Sequence, residues 1–270
     1  MQKAGDFPST NRLSVIAAGI ITGYALLPFV QVSGRRISFT LLGIFISLNL
    51  NFFNLISLIS ALLAAAGTDW MLRESYRAGK NETLPHLILP ALTAGAIGIP
   101  LGFLEVGTAW WIILALGSVL ILLVLAGEYI SMNPNNPYFP LALMVLSATS
   151  YALFLIIAIA VRAANLRLYL TASILPAVYG LFAVRMLQLR FGGTWPAKWT
   201  AAAALVILQF TVALFYWPLT AVRFGLLLLG PAYALIGIAA AIEEHQSFRK
   251  IPLEPLVMTG VIWALALIFG

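Results

Sequence analysis

The chain has 270 residues, 62% of them hydrophobic and only 9% charged, with a mean hydropathy of +1.00. Soluble domains run at roughly 45–50% apolar and roughly 25% charged, so a water-dispersed globule is excluded and an all-α, polytopic transmembrane bundle is expected. The net charge of +6 comes from 15 Lys and Arg against 9 Asp and Glu. These basic residues are scattered over loop positions, which points to cytoplasmic loops and anionic lipid and away from nucleic acid.

The chain has no Cys, which removes disulfides, thiolate nucleophiles and Cys zinc sites together. With only two His, a multi-His metal site is not expected, and neither is a cofactor.

Apolar runs divided by charged or Pro/Gly/Asn-rich breaks predict about nine spans of ~20 residues each in one membrane domain covering residues 1–270. The first, Leu13–Val32, reads as a signal anchor. Gly34-Arg35-Arg36 separates it from the second, Ile37–Ala66. The longest polar loop, from Gly67 to Leu84, follows. The third and fourth spans are Pro85–Leu104 and Thr108–Ile130. Asn133-Pro134-Asn135-Asn136-Pro137 is a turn, and Phe139–Val161 is the fifth span. Leu168–Leu187, Trp199–Tyr216, Leu219–Ile242 and Pro255–Phe269 complete the set. Trp70, Trp110, Trp111, Trp195 and Trp217 fall near span ends, the headgroup level that Trp prefers.

With the N-terminus inside, ten of the fifteen Lys and Arg fall on the cytoplasmic side. Basic loops stay inside, so the N-terminus is expected to be cytoplasmic and the protein to lie in the plasma membrane.

A charge at the bilayer midplane is costly and marks function. No Asp, Glu, Lys or His falls at the middle of a predicted span, which weighs against a proton-coupled carrier with a midplane carboxylate. The cytoplasmic rim is richer. Asp69, Arg73, His86, Glu128 and Arg185 are its candidate site: carboxylates and a histidine for acid–base work, arginines for an anionic head group. Ordinary interfacial ion pairs and snorkelling side chains are the competing and simpler reading. Asp69 and Arg73 stand at i, i+4 spacing, within reach of each other if the helix continues.

The second span carries a candidate polar face. Ser47, Asn51 and Asn54 stand at i, i+4, i+7, one side of a helix. Such side chains either hydrogen-bond neighbouring helices or line a polar cavity. The third span combines Pro85, Pro90, Gly95, Gly98, Pro100 and Gly102. Proline removes backbone hydrogen bonds, so a kinked helix with freed carbonyls is expected. Gly19 and Gly23 form a small-xxx-small pair suited to close helix contact. Glu243-Glu244 and Arg249 have the wrong spacing for the CAAX-type intramembrane protease pattern, and His86 and His245 do not supply its histidine motifs.

The Ala66–Trp70 run with Arg73 after it, Gly127-Glu128-Tyr129, Tyr216-Trp217-Pro218-Leu219 and Leu229-Gly230-Pro231-Ala232-Tyr233 carry a resemblance. In these motifs the chain resembles a family of uncharacterised bacterial multi-pass membrane proteins known as a domain of unknown function. The resemblance spans nearly the whole chain. It implies that Asp69, Arg73 and Glu128 matter, and it brings no activity.

The expected function is binding or translocation of an apolar or amphiphilic small molecule or lipid, with the second and third spans lining the path. An enzyme acting on lipid head groups from the cytoplasmic rim, through Asp69, His86 and Glu128, is one alternative. A non-catalytic membrane assembly subunit is the other. A non-enzyme is preferred, with the lipid bilayer as the constant partner.

Overall fold

The computed structural model describes residues 7–30, 35–41, 44–50, 52–76, 80–191, 195–243 and 253–268. Among these, the secondary structure is nine α-helices and one hairpin: α1 (Thr10–Ala25), β1 (Arg35–Leu41), β2 (Ile44–Leu50), α2 (Phe52–Tyr76), α3 (Lys80–Phe103), α4 (Thr108–Ser131), α5 (Phe139–Ala163), α6 (Leu168–Arg190), α7 (Ala197–Phe215), α8 (Ala221–Glu243) and α9 (Glu254–Ile268). A short 3-10 turn, Leu27–Phe29, extends α1. Eight segments are long and apolar enough to cross a membrane, the first of them Thr10–Phe29 and the last α8. The ninth helix, α9, has 15 residues. Large apolar side chains such as Leu58, Leu62, Leu116 and Leu123 are exposed. In water such faces would drive association; in a bilayer lipid tails cover them.

From the fourth span onward the helices fall within a few residues of their predicted bounds. Long unbroken apolar runs between Pro, Gly and Asn breaks leave little freedom there. In the turn between α4 and α5, the Asn133 side chain accepts a hydrogen bond from the Asn135 backbone N–H at 3.1 Å. Asn136 accepts one from Tyr138 at 2.9 Å. Both are the local backbone mimicry that makes Asn a turn residue.

The second span requires a correction. Arg35–Leu41 and Ile44–Leu50 pair as antiparallel strands, from Arg35 opposite Leu50 to Leu41 opposite Ile44. The helix begins only at Phe52 and runs through the stretch from Gly67 to Tyr76 that reads as loop. Ile37, Phe39, Thr40, Ile44, Phe45 and Ile46 are β-branched or aromatic, the residues that favour strands. A short apolar run does not by itself distinguish strand from helix. Ser47 therefore lies in β2, Asn51 lies outside the described residues, and Asn54 stands exposed at the start of α2. The three do not form one helical face.

The chain divides into two compact units, residues 1–142 and 143–270. In the first, α2 packs along α3, and α1 packs on both α2 and α4. Its core gathers Ile16, Ile20, Tyr24, Met71, Trp110 and Ile121. The glycines of α3 make the α2 contact possible: a Cβ at Gly95 would touch Ala61, one at Gly98 would overlap Ser57 Oγ, and one at Gly102 would touch Phe53. Gly19 likewise admits Leu63 of α2 against α1. Small residues let backbones approach where lipid supplies no hydrophobic drive between helices. Despite Pro85, Pro90 and Pro100, α3 is one continuous helix. In the second unit α6 packs on α7, and α8 on α9.

Candidate functional site

Four of the five candidate rim residues meet at one end of the first unit. Asp69 Oδ1 accepts from Arg73 Nε at 2.8 Å and from Thr83 Oγ1 at 2.6 Å, which joins α2 to the start of α3. One turn further along α3, His86 Nδ1 lies 2.9 Å from Glu128 Oε2 of α4. Glu128 is fully buried and His86 nearly so. Ser131 Oγ donates to the Glu128 backbone carbonyl at 2.9 Å and stands 3.4 Å from His86 Nδ1. Arg12 of α1 pairs with Glu74 and stacks over the Trp70 ring at 5.6 Å. The fifth residue, Arg185, is buried in the second unit.

A buried carboxylate needs partners to offset its desolvation, and His86 and Ser131 supply them. Ser131 approaches the ring nitrogen that already faces Glu128. A nucleophilic serine needs the other nitrogen, with the carboxylate behind the ring. The cluster therefore has the geometry of a clasp between helices rather than of a catalytic triad. No group of three or more His, Cys, Asp or Glu stands close enough to hold a metal ion among the described residues.

A second site lies wholly in the other unit, and hydropathy alone does not reveal it. A groove of about 560 Å3 opens between the end of α7, the start of α8 and the end of α9. Sites for small molecules run about 300–1,000 Å3. Phe210, Leu214, Trp217, Leu219, Leu227 and Trp263 give it apolar walls, and Arg223 is the one charged residue lining it.

Backbone chemistry builds these walls. Pro231 has no N–H, so the carbonyl of Leu227, four residues earlier, loses its helical partner. Trp263 Nε1 of α9 donates to that carbonyl at 3.1 Å. A Cβ at Gly230 would stand 2.7 Å from the same Nε1, so glycine there leaves room for the ring. Across the loop, the Arg162 guanidinium donates to the carbonyls of Phe215 and Trp217, both at 3.2 Å, and satisfies the C-terminal end of α7. Arg162 also stacks on the Phe215 and Phe224 rings. Its charge is thus occupied. Arg223 differs: its Nε is closed off from solvent and has no hydrogen-bond partner among the described residues. An arginine just inside an apolar helix, after Tyr216-Trp217-Pro218, is the only trace of this groove in the sequence.

Residues 32–269 match a family described as a protein of unknown function, DUF5656. No curated protein and no solved structure matches the chain.

Proposed function

The chain belongs to this family of unknown function, and we propose that it binds an amphiphilic molecule from the bilayer in the groove between α7, α8 and α9. One observation carries the reading: a cavity of about 560 Å3 whose walls are apolar and whose single charge is Arg223. Apolar walls with few, well-placed polar groups are the usual make-up of a small-molecule site. The bilayer is the solvent of this protein, so an amphiphile reaches the groove without crossing water. The setting is a plasma membrane, as the resemblance to bacterial multi-pass proteins implies.

The path moves from the second and third spans to the second unit, because the α3 glycines are filled by α2 contacts. A headgroup enzyme at the rim would need the His86–Glu128 clasp to open before it met a substrate. An assembly subunit has no observation in its favour.

The test uses an uncharged probe, a pyrene-labelled fatty alcohol, added to the purified protein in detergent. Wild type is expected to bind it saturably. Ala213→Trp fills the groove from an exposed position and is expected to abolish binding with the thermal midpoint unchanged. Equal binding by both proteins would remove the groove from consideration.

A further inference from the structure

Arg223 does more than tolerate its apolar surroundings. We infer that it selects the ligand: the groove takes an anionic phospholipid, whose phosphate pairs with the Arg223 guanidinium while a tail lies between Trp217 and Trp263. This inference rests on the groove being a binding site.

Charge complementarity is the first argument. The ion pairs Arg12–Glu74 and Arg73–Asp69 do not include Arg223. A polar group shut off from water and left without a partner is costly. The Arg223 Nε is such a group. Arg223 lines the groove and is only half-buried, and a guanidinium has a planar fork that matches two oxygens of a phosphate. A zwitterionic lipid also carries a phosphate, but its own ammonium competes for it. An anionic lipid leaves the phosphate charge to the protein.

Level in the membrane is the second argument. Arg223 stands in the first turn of α8, and the exposed Tyr216 and Trp217 immediately precede that helix. Exposed Tyr and Trp at a span end mark the headgroup level. The arginine thus sits where a lipid phosphate sits, and the apolar walls extend from it to Leu227 of α8 and Trp263 of α9. The other cation of this region, Arg162, has its Nη groups on the Phe215 and Trp217 carbonyls and cannot play the same part.

The experiment is native mass spectrometry of the full chain in detergent, with phosphatidylglycerol or phosphatidylcholine of identical acyl chains. Wild type is expected to retain phosphatidylglycerol about tenfold better, the order of a charge-assisted hydrogen bond. Arg223→Gln is expected to retain both lipids equally, and Arg223→Lys to keep part of the preference. Because the Arg223 Nε has no hydrogen-bond partner to lose among the described residues, Arg223→Gln is expected to leave the thermal midpoint unchanged or raised. A midpoint lowered together with the lipid preference would mark Arg223 as structural and overturn the inference. Equal retention of both lipids by wild type would overturn it as well, while leaving the groove reading intact. Retention of neither would sink both. Inorganic phosphate is expected not to displace the bound lipid; displacement by phosphate alone would replace a lipid site with a phosphate site.

Discussion

Glu128 shows at the scale of one residue how a membrane interior handles a carboxylate. It lies one turn from the end of α4, fully buried, with His86 at 2.9 Å. Its place near the rim was legible in the sequence; its partner was not, because 42 residues separate the two. Replacing it with leucine takes an acceptor away from a buried histidine, a loss of about 1–3 kcal/mol. Glu128→Leu is therefore expected to lower the thermal midpoint in detergent clearly. Glu128→Gln keeps an oxygen at the same place and is expected to cost less. Equal midpoints for all three proteins would show that the clasp contributes nothing to stability. The Asp69–Arg73 pair was legible down to its spacing, since an i, i+4 contact depends only on the helix continuing. Thr83 was missed: nothing in its neighbours marks it as the second donor to Asp69.

Elements show the same division. In the sequence, Gly230 and Pro231 of α8 stand only as part of the Leu229–Tyr233 motif. In the structure they serve one contact: Pro231 frees the Leu227 carbonyl, Gly230 leaves the space, and Trp263 of α9 fills both roles. Trp263→Phe removes the donor and is expected to cost about 1 kcal/mol. Gly230→Val displaces the same ring. The two substitutions are expected to be non-additive, because whichever comes first already breaks the bond. A double-mutant cycle read by thermal unfolding in detergent checks this, and full additivity would show that the contact is not shared. In α3 the prolines and glycines suggested a broken, ligand-lining helix. It stays continuous, and its glycines form the face that receives Phe53, Ser57 and Ala61 of α2. The strand pair of Arg35–Leu41 and Ile44–Leu50 was the largest misreading. Its apolar content satisfied a span-length window, while its β-branched and aromatic residues favoured strands.

For the whole molecule the number of crossings turns on α9. Eight segments have the length and hydropathy to do so. At 1.5 Å per residue, the 15 residues of α9 reach about 22 Å, against a hydrocarbon core of about 30 Å. With the N-terminus inside, a crossing by α9 puts the C-terminus outside; an α9 that does not cross leaves it inside. The nine-span expectation requires the first, with the bilayer thinning locally to match a short span. A C-terminal alkaline phosphatase fusion is expected to be active, and a C-terminal fluorescent protein that folds only inside is expected to stay dark. The reverse pair of results would reduce the count to eight.

By itself the sequence determined what sums along a window. Apolar content, charge at span ends and Pro/Gly/Asn breaks predicted a multi-pass helical protein with a nearly charge-free interior. They also placed most helices to within a few residues. These properties are local, and transfer to lipid is additive to a good approximation. Tertiary structure alone decided which residues meet. Glu128 with His86, Leu227 with Trp263, and Arg162 with the end of α7 each join residues 36 to 53 positions apart in the chain. Helix packing brings such pairs together, and no window of sequence contains both members. The groove around Arg223 is a space left between three packed helices, so it could be seen only once they were packed.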